Sequence, residues 1–241
     1  MTLKDKLVFI TGAAIRIGRE LALAVARAGA DVIIHYASSQ AEAQLLSDEI
    51  KAMGCQVFLL QADFGVPSEL DHLIQKATQY GPLYALVNNA SIFEPLTWQN
   101  TTLEAWNHHL LVNLTVPFLL SQAFARSLPA GQTGRIVNLL DWRALRPGSG
   151  HFPYAISKAA LAALTRSLAI SLAPDITVNG LALGAVLPPS AGDTPTNILK
   201  RVPAGRWADM DEVSQALLFL LDGPTFITGE IIHVDGGRHL V

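Results

Sequence analysis

Residues 7 to 18 read LVFITGAAIRIG, and this stretch decides the fold. Four apolar residues, Leu7–Ile10, end at Thr11-Gly12, and a helical pattern follows from about Ile17 to Ala28. A buried strand that turns on glycine into a helix lets the backbone approach a pyrophosphate. The helix then offers it free N–H groups and a positive end. A glycine pair alone is a weak signal, because any tight turn uses one; its place between the first strand and the first helix gives it weight. The alternation continues downstream. Strand-like runs at Val32–His35, Val57–Gln61, Ala85–Val87, Arg135–Leu140, Thr177–Leu181 and Glu230–Val234 alternate with helical patterns. Those helices fall near Gln40–Met53, Glu69–Tyr80, Leu103–Ser127 and Tyr154–Leu172, with another ending near Leu221. Thr101 with Glu104, and Asp209 with Glu212, have the spacing of capping boxes.

The strand runs are continuously apolar, which is the pattern of a parallel sheet covered on both faces. The expected fold class is α/β: a single doubly wound parallel sheet of Rossmann type with helices on both faces. No linker, repeat or low-complexity tract divides the 241 residues, so one NAD(P)-binding domain over 1–241 is expected. Leu183–Pro203 is rich in Pro, Gly, Ala and Ser and reads as a substrate loop. Half of the residues are hydrophobic and 15% are charged, with a net charge of −3. That composition supports a large core and gives no basic face for nucleic acid. Cys55 is the one cysteine, so no internal disulfide forms and a reducing compartment is expected. The apolar run after Lys6 is short for a leader, and Ala216–Leu221 is short for a membrane span. A soluble cytoplasmic protein follows. His108 and His109 are adjacent and point to different helix faces, so no metal site is expected.

The second strand ends at His35-Tyr36-Ala37-Ser38-Ser39, before Gln40. A dinucleotide fold that prefers NAD carries an acid here for the ribose 2′-hydroxyl. None is present. An acid would repel a 2′-phosphate, whereas hydroxyls, an imidazole and an amide can donate to it. NADPH is therefore expected as cofactor. Ser38 and Ser39 can also simply cap the next helix, and both roles can hold together.

Tyr154 and Lys158 lie four residues apart at the start of a helix, on one face. A phenol ordinarily titrates near 10, and a neighbouring ammonium pulls that value toward the working range. Lys158 can also reach a ribose hydroxyl.

These pieces together resemble the short-chain dehydrogenase/reductase family over nearly the whole chain. The resemblance rests on the Thr11–Gly18 turn, Asp63, Asn88-Asn89-Ala90, Asn113, Tyr154, Lys158 and Asp235-Gly236-Gly237. It implies cofactor contacts from Gly12, Arg16, Ile17, Gly18, His35, Tyr36, Ser38, Ser39, Asp63, Phe64, Asn89, Ala90, Ser91, Tyr154, Lys158 and Gly184. Asp63 would sit near the adenine, and Asn113 would hold a water in the proton relay. It also implies a homotetramer, with Leu103–Ser127 and the alanine-rich face of the Tyr154 helix between subunits.

Three departures are informative. The usual middle glycine of the turn is Arg16, the usual glycine after Asn-Asn-Ala is Ser91, and the usual serine before the tyrosine is Asp141. They look like the pteridine reductase branch, which includes dihydromonapterin reductases. Phe93 and the ending Gly236-Gly237-Arg238-His239-Leu240 are similar to that branch too. Physically, a carboxylate at Asp141 would repel the oxyanion of a ketone but accept from a pterin's amino and ring N–H groups. If burial raises its pKa, it could give a proton instead. Phe93 offers a face to a flat ring. The expected catalytic set is Asp141, Tyr154, Lys158 and Asn113, and the expected substrate contacts are Arg16, Ser91, Phe93, Asp141 and Tyr154. The expected reaction is reduction of a pterin or folate by NADPH. Reduction of a ketone or 3-oxoacyl thioester is an alternative, and a non-catalytic NADPH sensor is a third reading. Leu183 stands where the family has a proline before Gly184.

Overall fold

A computed structural model describes residues 3–70, 72–187 and 198–241. Strand β1 (Leu7–Ile10) leads into α1 (Arg16–Arg27), and β2 (Asp31–Tyr36) into α2 (Gln40–Ala52). β3 (Val57–Gln61) is followed by two short helices, α3 (Pro67–Leu70) and α4 (Leu73–Thr78). β4 (Leu83–Asn88) precedes α5 (Leu103–Leu110), a π turn (Leu111–Thr115) and α6 (Val116–Ser127). β5 (Gly134–Asp141) enters a 3-10 turn (Trp142–Ala144) and then α7 (Phe152–Leu172). β6 (Ile176–Leu183), α8 (Met210–Asp222) and β7 (Ile231–Val234) follow.

The seven strands form one parallel sheet in the order β3-β2-β1-β4-β5-β6-β7. The winding reverses between β1 and β4, and a crevice opens there beyond the carboxyl ends. Alternate residues of β1 serve opposite faces. Val8 and Ile10 pack with Leu21, Val25 and Leu217, while Leu7 and Phe9 pack with Val116, Leu120 and Phe124. Each such side chain contributes about 1.5–3 kcal/mol on burial, which is why the central strands carry no polar face.

Three local expectations need correction. The helix expected over Glu69–Tyr80 is broken, with His72 at φ 65, into α3 and α4. The capping box at Thr101 and Glu104 does not form. Thr102 is the cap, its hydroxyl accepting from Ala105 N at 3.1 Å, while the Thr101 hydroxyl donates to the Thr97 carbonyl at 2.6 Å. The Leu103–Ser127 helix contains a π turn that buries Asn113. An inserted π turn often marks a functional site. The box at Asp209 and Glu212 is present as expected.

By length and composition α7 is apolar enough to cross a membrane. Leu161, Ala162, Thr165 and Ala169 on this helix are buried in the fold. Of the expected Leu183–Pro203 loop, residues 188–197 lie outside the described residues, and Leu199–Arg201 makes a 3-10 turn.

Candidate active site

The exit of β1 forms a tight cradle. Gly12 has φ +61, and a Cβ there would lie 2.9 Å from Ala90 Cα; at Gly18 it would lie 2.1 Å from the Gly12 carbonyl oxygen. Only glycine allows this closure. Asn89 Nδ2 donates to the carbonyls of Thr11 and Gly12, both at 2.9 Å. The Thr11 hydroxyl accepts from the Asn89 and Ala90 amides at 2.9 and 3.0 Å. The Asn-Asn-Ala segment thus clamps the turn. The cap residue of α1, Ile15, supplies no side-chain bond, and no acid lies in its first turn. A helix start with no side-chain cap and no acid favours an anion. The donor set and the Cβ-free cradle fit a dinucleotide pyrophosphate.

Arg16 stands exposed at the cradle with φ 53, a left-handed conformation that costs an L-residue about 1–2 kcal/mol. That strain explains why glycine is the usual occupant. Arg16→Gly is expected to leave the melting temperature unchanged or raise it slightly, while weakening NADPH binding. Thermal melts and a fluorescence titration would check this. A lower melting temperature with unchanged affinity would contradict it.

The structure corrects the role expected of His35. The ring is 2% exposed. Its Nδ1 accepts from the Gly12 amide at 3.0 Å, and its Nε2–H donates to the Ala62 carbonyl at 3.0 Å. It also stacks on Phe64, with ring centroids 4.1 Å apart. Burial lowers its pKa to about 4, so it is neutral at pH 7. His35 therefore braces the glycine turn instead of meeting a ribose phosphate. Phe64, also buried, stacks on His35. Tyr36 is buried as well, while Ser38 is exposed. Ser39 occupies the cap position of α2, but its side chain makes no cap bond. Both hydroxyls are therefore left for a ligand at this rim. Asp63 is exposed too and holds the Gly65 amide through Oδ1 at 2.8 Å.

His35 has a stability consequence. Its folded pKa lies below the unfolded value near 6.5, so between about 4 and 6.5 the unfolded chain binds more protons. Stability falls as pH drops through that window, by up to about 3 kcal/mol from this group. In urea unfolding, His35→Asn should show a shallower loss between pH 6.5 and 4. Equal slopes would contradict the assignment.

At the other end of the crevice, β5 delivers Asp141 and α7 delivers Tyr154 and Lys158. The Tyr154 hydroxyl donates to Asp141 Oδ2 at 3.2 Å. Arg143 Nη1 lies 3.1 Å from both Asp141 oxygens, and the Arg143 amide donates to Oδ1 at 2.8 Å. Lys158 Nζ donates to the Leu139 carbonyl at 2.8 Å and lies 5.8 Å from the centre of the Tyr154 ring. The expected pull of Lys158 on the phenol is not what this geometry gives. Burial, and then the Asp141 carboxylate, push the Tyr154 pKa well above its usual value. Burial also lowers Lys158 to about 8. At pH 7 the phenol keeps its proton and can act as an acid.

The Asn113 side chain is fully engaged within the fold. Its Oδ1 accepts from Ser91 Oγ and the Ile92 amide, and its Nδ2 donates to the Ile92 carbonyl and Ser157 Oγ. All four bonding positions are taken, so the side chain ties the β4 exit to α7 and has none left for a water.

On the substrate side, Phe93 remains half exposed, but its ring is not free for a flat ligand. His151 stacks on it at 3.8 Å, and Tyr154 meets it edge-on at 4.7 Å. His151 is itself left-handed, with φ 53, and its Nδ1–H donates to the Glu94 carbonyl at 2.9 Å. The sequence reading missed Arg143. The signal was a carboxylate with a cation two residues later, at the end of a strand. A Cβ on Gly184 would lie 2.5 Å from Asp235 Cα, so packing against the Asp235-Gly236-Gly237 segment demands glycine there. Among the described residues no group of metal-ligating side chains converges.

A glycine cradle at the switch point and a tyrosine–lysine pair across the crevice define a nicotinamide-dependent oxidoreductase. Known proteins agree. A family model described as enoyl-(acyl carrier protein) reductase matches residues 12–239. The 3-oxoacyl-[acyl-carrier-protein] reductase FabG of Escherichia coli (strain K12) is 34% identical over 248 residues, covering 100% of both chains. Among solved structures, FolM alternative dihydrofolate reductase 1 from Brucella canis, complexed with NADP, superposes with a TM-score of 0.93. It is 32% identical, covering 100% of this chain and 96% of that one. A blue fluorescent protein from a metagenomic library, in complex with NADPH, gives 0.91 and 31%, covering 99% of each chain. The chain belongs to the short-chain dehydrogenase/reductase family.

Proposed function

We propose that the chain is an NADPH-dependent pterin reductase. The observation that carries this reading is Asp141, whose carboxylate accepts the Tyr154 hydroxyl at 3.2 Å. A carbonyl substrate needs donors around its developing oxyanion, and a carboxylate there opposes the charge. A pterin brings an amino group and ring N–H donors, which a carboxylate accepts. Likeness to the FolM structure supports the reading. Likeness to FabG supports a second one, reduction of a 3-oxoacyl thioester, and Asp141 argues against it.

When bound, NADPH supplies hydride. Tyr154 holds the proton at its phenolic oxygen and passes it to the substrate. Asp141, fixed by Arg143, accepts from Tyr154, and when that hydroxyl turns to the substrate its Oδ2 would accept from the donors of the pterin. Lys158 would hold the ribose, Ser38 and Ser39 would meet the 2′-phosphate, and Arg16 would contact the pyrophosphate. Phe93, half exposed, would line the pterin pocket. Exposed Phe118 and Leu119 on α6 and Ile170 on α7 support assembly as a homotetramer. Ala155 and Ala162 are buried within the chain, so the alanine face serves that contact only in part. The proposed setting is the cytoplasm.

Asp141→Ser tests the carrying observation. The variant is expected to lose about tenfold or more in kcat/KM on a dihydropterin while its NADPH affinity stays within about twofold. Undiminished pterin turnover would remove Asp141 from substrate recognition.

A further inference from the structure

The 3-10 turn at Arg238–Leu240 lays a second arginine beside the site. The guanidinium carbon of Arg238 lies 4.5 Å from the centre of the Trp142 ring, and that of Arg143 lies 4.7 Å from it. Trp142 directly follows Asp141, so this cation pair lies beside the contact between Tyr154 and Asp141. The two cations are neutralised unequally. Arg143 faces both oxygens of Asp141 at 3.1 Å. Arg238 has no ion pair among the described residues. It donates through Nη1 to the Ile198 carbonyl at 2.8 Å, and its buried Nε has no acceptor among those residues. Burial, then Arg143 and Arg201, push its pKa down. Asp141 and Asp235 act on it only at a distance, and a partly desolvated guanidinium held against an aromatic ring with no carboxylate bonded to it is preorganised for an oxyanion.

We propose that Arg238, seated on Trp142 beside Arg143, is a specificity residue that binds a carboxylate on the unreactive tail of the substrate. The inference rests on the pterin reading above and deepens it. A pterin whose side chain ends in a glutamyl group brings such carboxylates, and one with a polyhydroxylated side chain brings none. The site thereby favours the folate type of substrate.

Calorimetry on the protein loaded with NADP⁺ tests this, using folate and biopterin as ligands. A charge-assisted bond of about 1.5–3 kcal/mol corresponds to roughly 10–100-fold in affinity. Wild type is expected to bind folate at least about tenfold more tightly than biopterin. Arg238→Gln should lose that margin on folate and stay within about twofold on biopterin, and Arg238→Lys should restore part of it. Equal binding of both ligands by wild type, or an equal loss on both in Arg238→Gln, would overturn the inference and leave the pterin reading standing. Failure of wild type to bind either ligand would overturn both.

Discussion

Tyr154→Phe is expected to lower kcat for pterin reduction by about 10²–10⁴-fold, the range supplied by a positioned acid. NADPH should bind the variant about as well as wild type. The ring packs edge-on against Phe93 at 4.7 Å, and phenylalanine keeps that contact while losing only the hydroxyl. The hydroxyl's partner, Asp141, retains both of its bonds to Arg143 Nη1. The site should therefore stay folded and become inactive. Because burial and Asp141 raise the phenol's pKa, the wild-type enzyme should show no loss of the Tyr154 proton up to pH 10. Turnover surviving in Tyr154→Phe would mean that another group supplies the proton.

Lys158→Met should separate stability from activity. The ammonium is buried, and its pKa near 8 lies below the unfolded value near 10.5. Between those values the unfolded chain binds more protons, so wild-type stability rises with pH from about 8 to 10.5. Below pH 8 the full cost of burying the charge is present, about 3 kcal/mol. Methionine removes that cost but leaves the Leu139 carbonyl without its donor, a loss of about 1 kcal/mol. A net gain of about 2 kcal/mol at pH 7 follows, shrinking toward pH 10.5, together with a fall of about 100-fold or more in kcat/KM. Denaturant unfolding at pH 7 and 10 and steady-state rates would check both parts. A destabilised variant at pH 7 would mean that Lys158 is a net structural support.

The strands were legible because a sheet covered on both faces needs unbroken apolar runs. β1 and β3 begin and end where Leu7–Ile10 and Val57–Gln61 do. Breaks inside helices were not legible. Neither the left-handed His72 nor the π turn at Leu111–Thr115 leaves a mark in composition or periodicity. How the candidate site residues are engaged was not legible. His35 and Asn113 carry ligand-binding side chains, yet the fold uses those side chains itself, through Gly12 and Ala62 for His35 and through Ser91, Ile92 and Ser157 for Asn113. All of those partners lie more than twenty residues away, beyond any local pattern. Phe93 was identified as a platform, but nothing in the sequence could say that His151 would stack on it. Arg143 and Arg238 meet at Trp142 from opposite ends of the second half of the chain, and only the folded sheet brings them together.

The central claim is that a carboxylate beside the proton donor selects a pterin over a carbonyl. The most direct measurement is NADPH oxidation, followed by absorbance, with dihydrobiopterin, dihydromonapterin, dihydrofolate and an acetoacetyl thioester in parallel. Turnover on at least one of the three reduced pterins and none on the thioester is the expected result. Turnover on the thioester alone would contradict the account and make Asp141 an unusual feature of a carbonyl reductase.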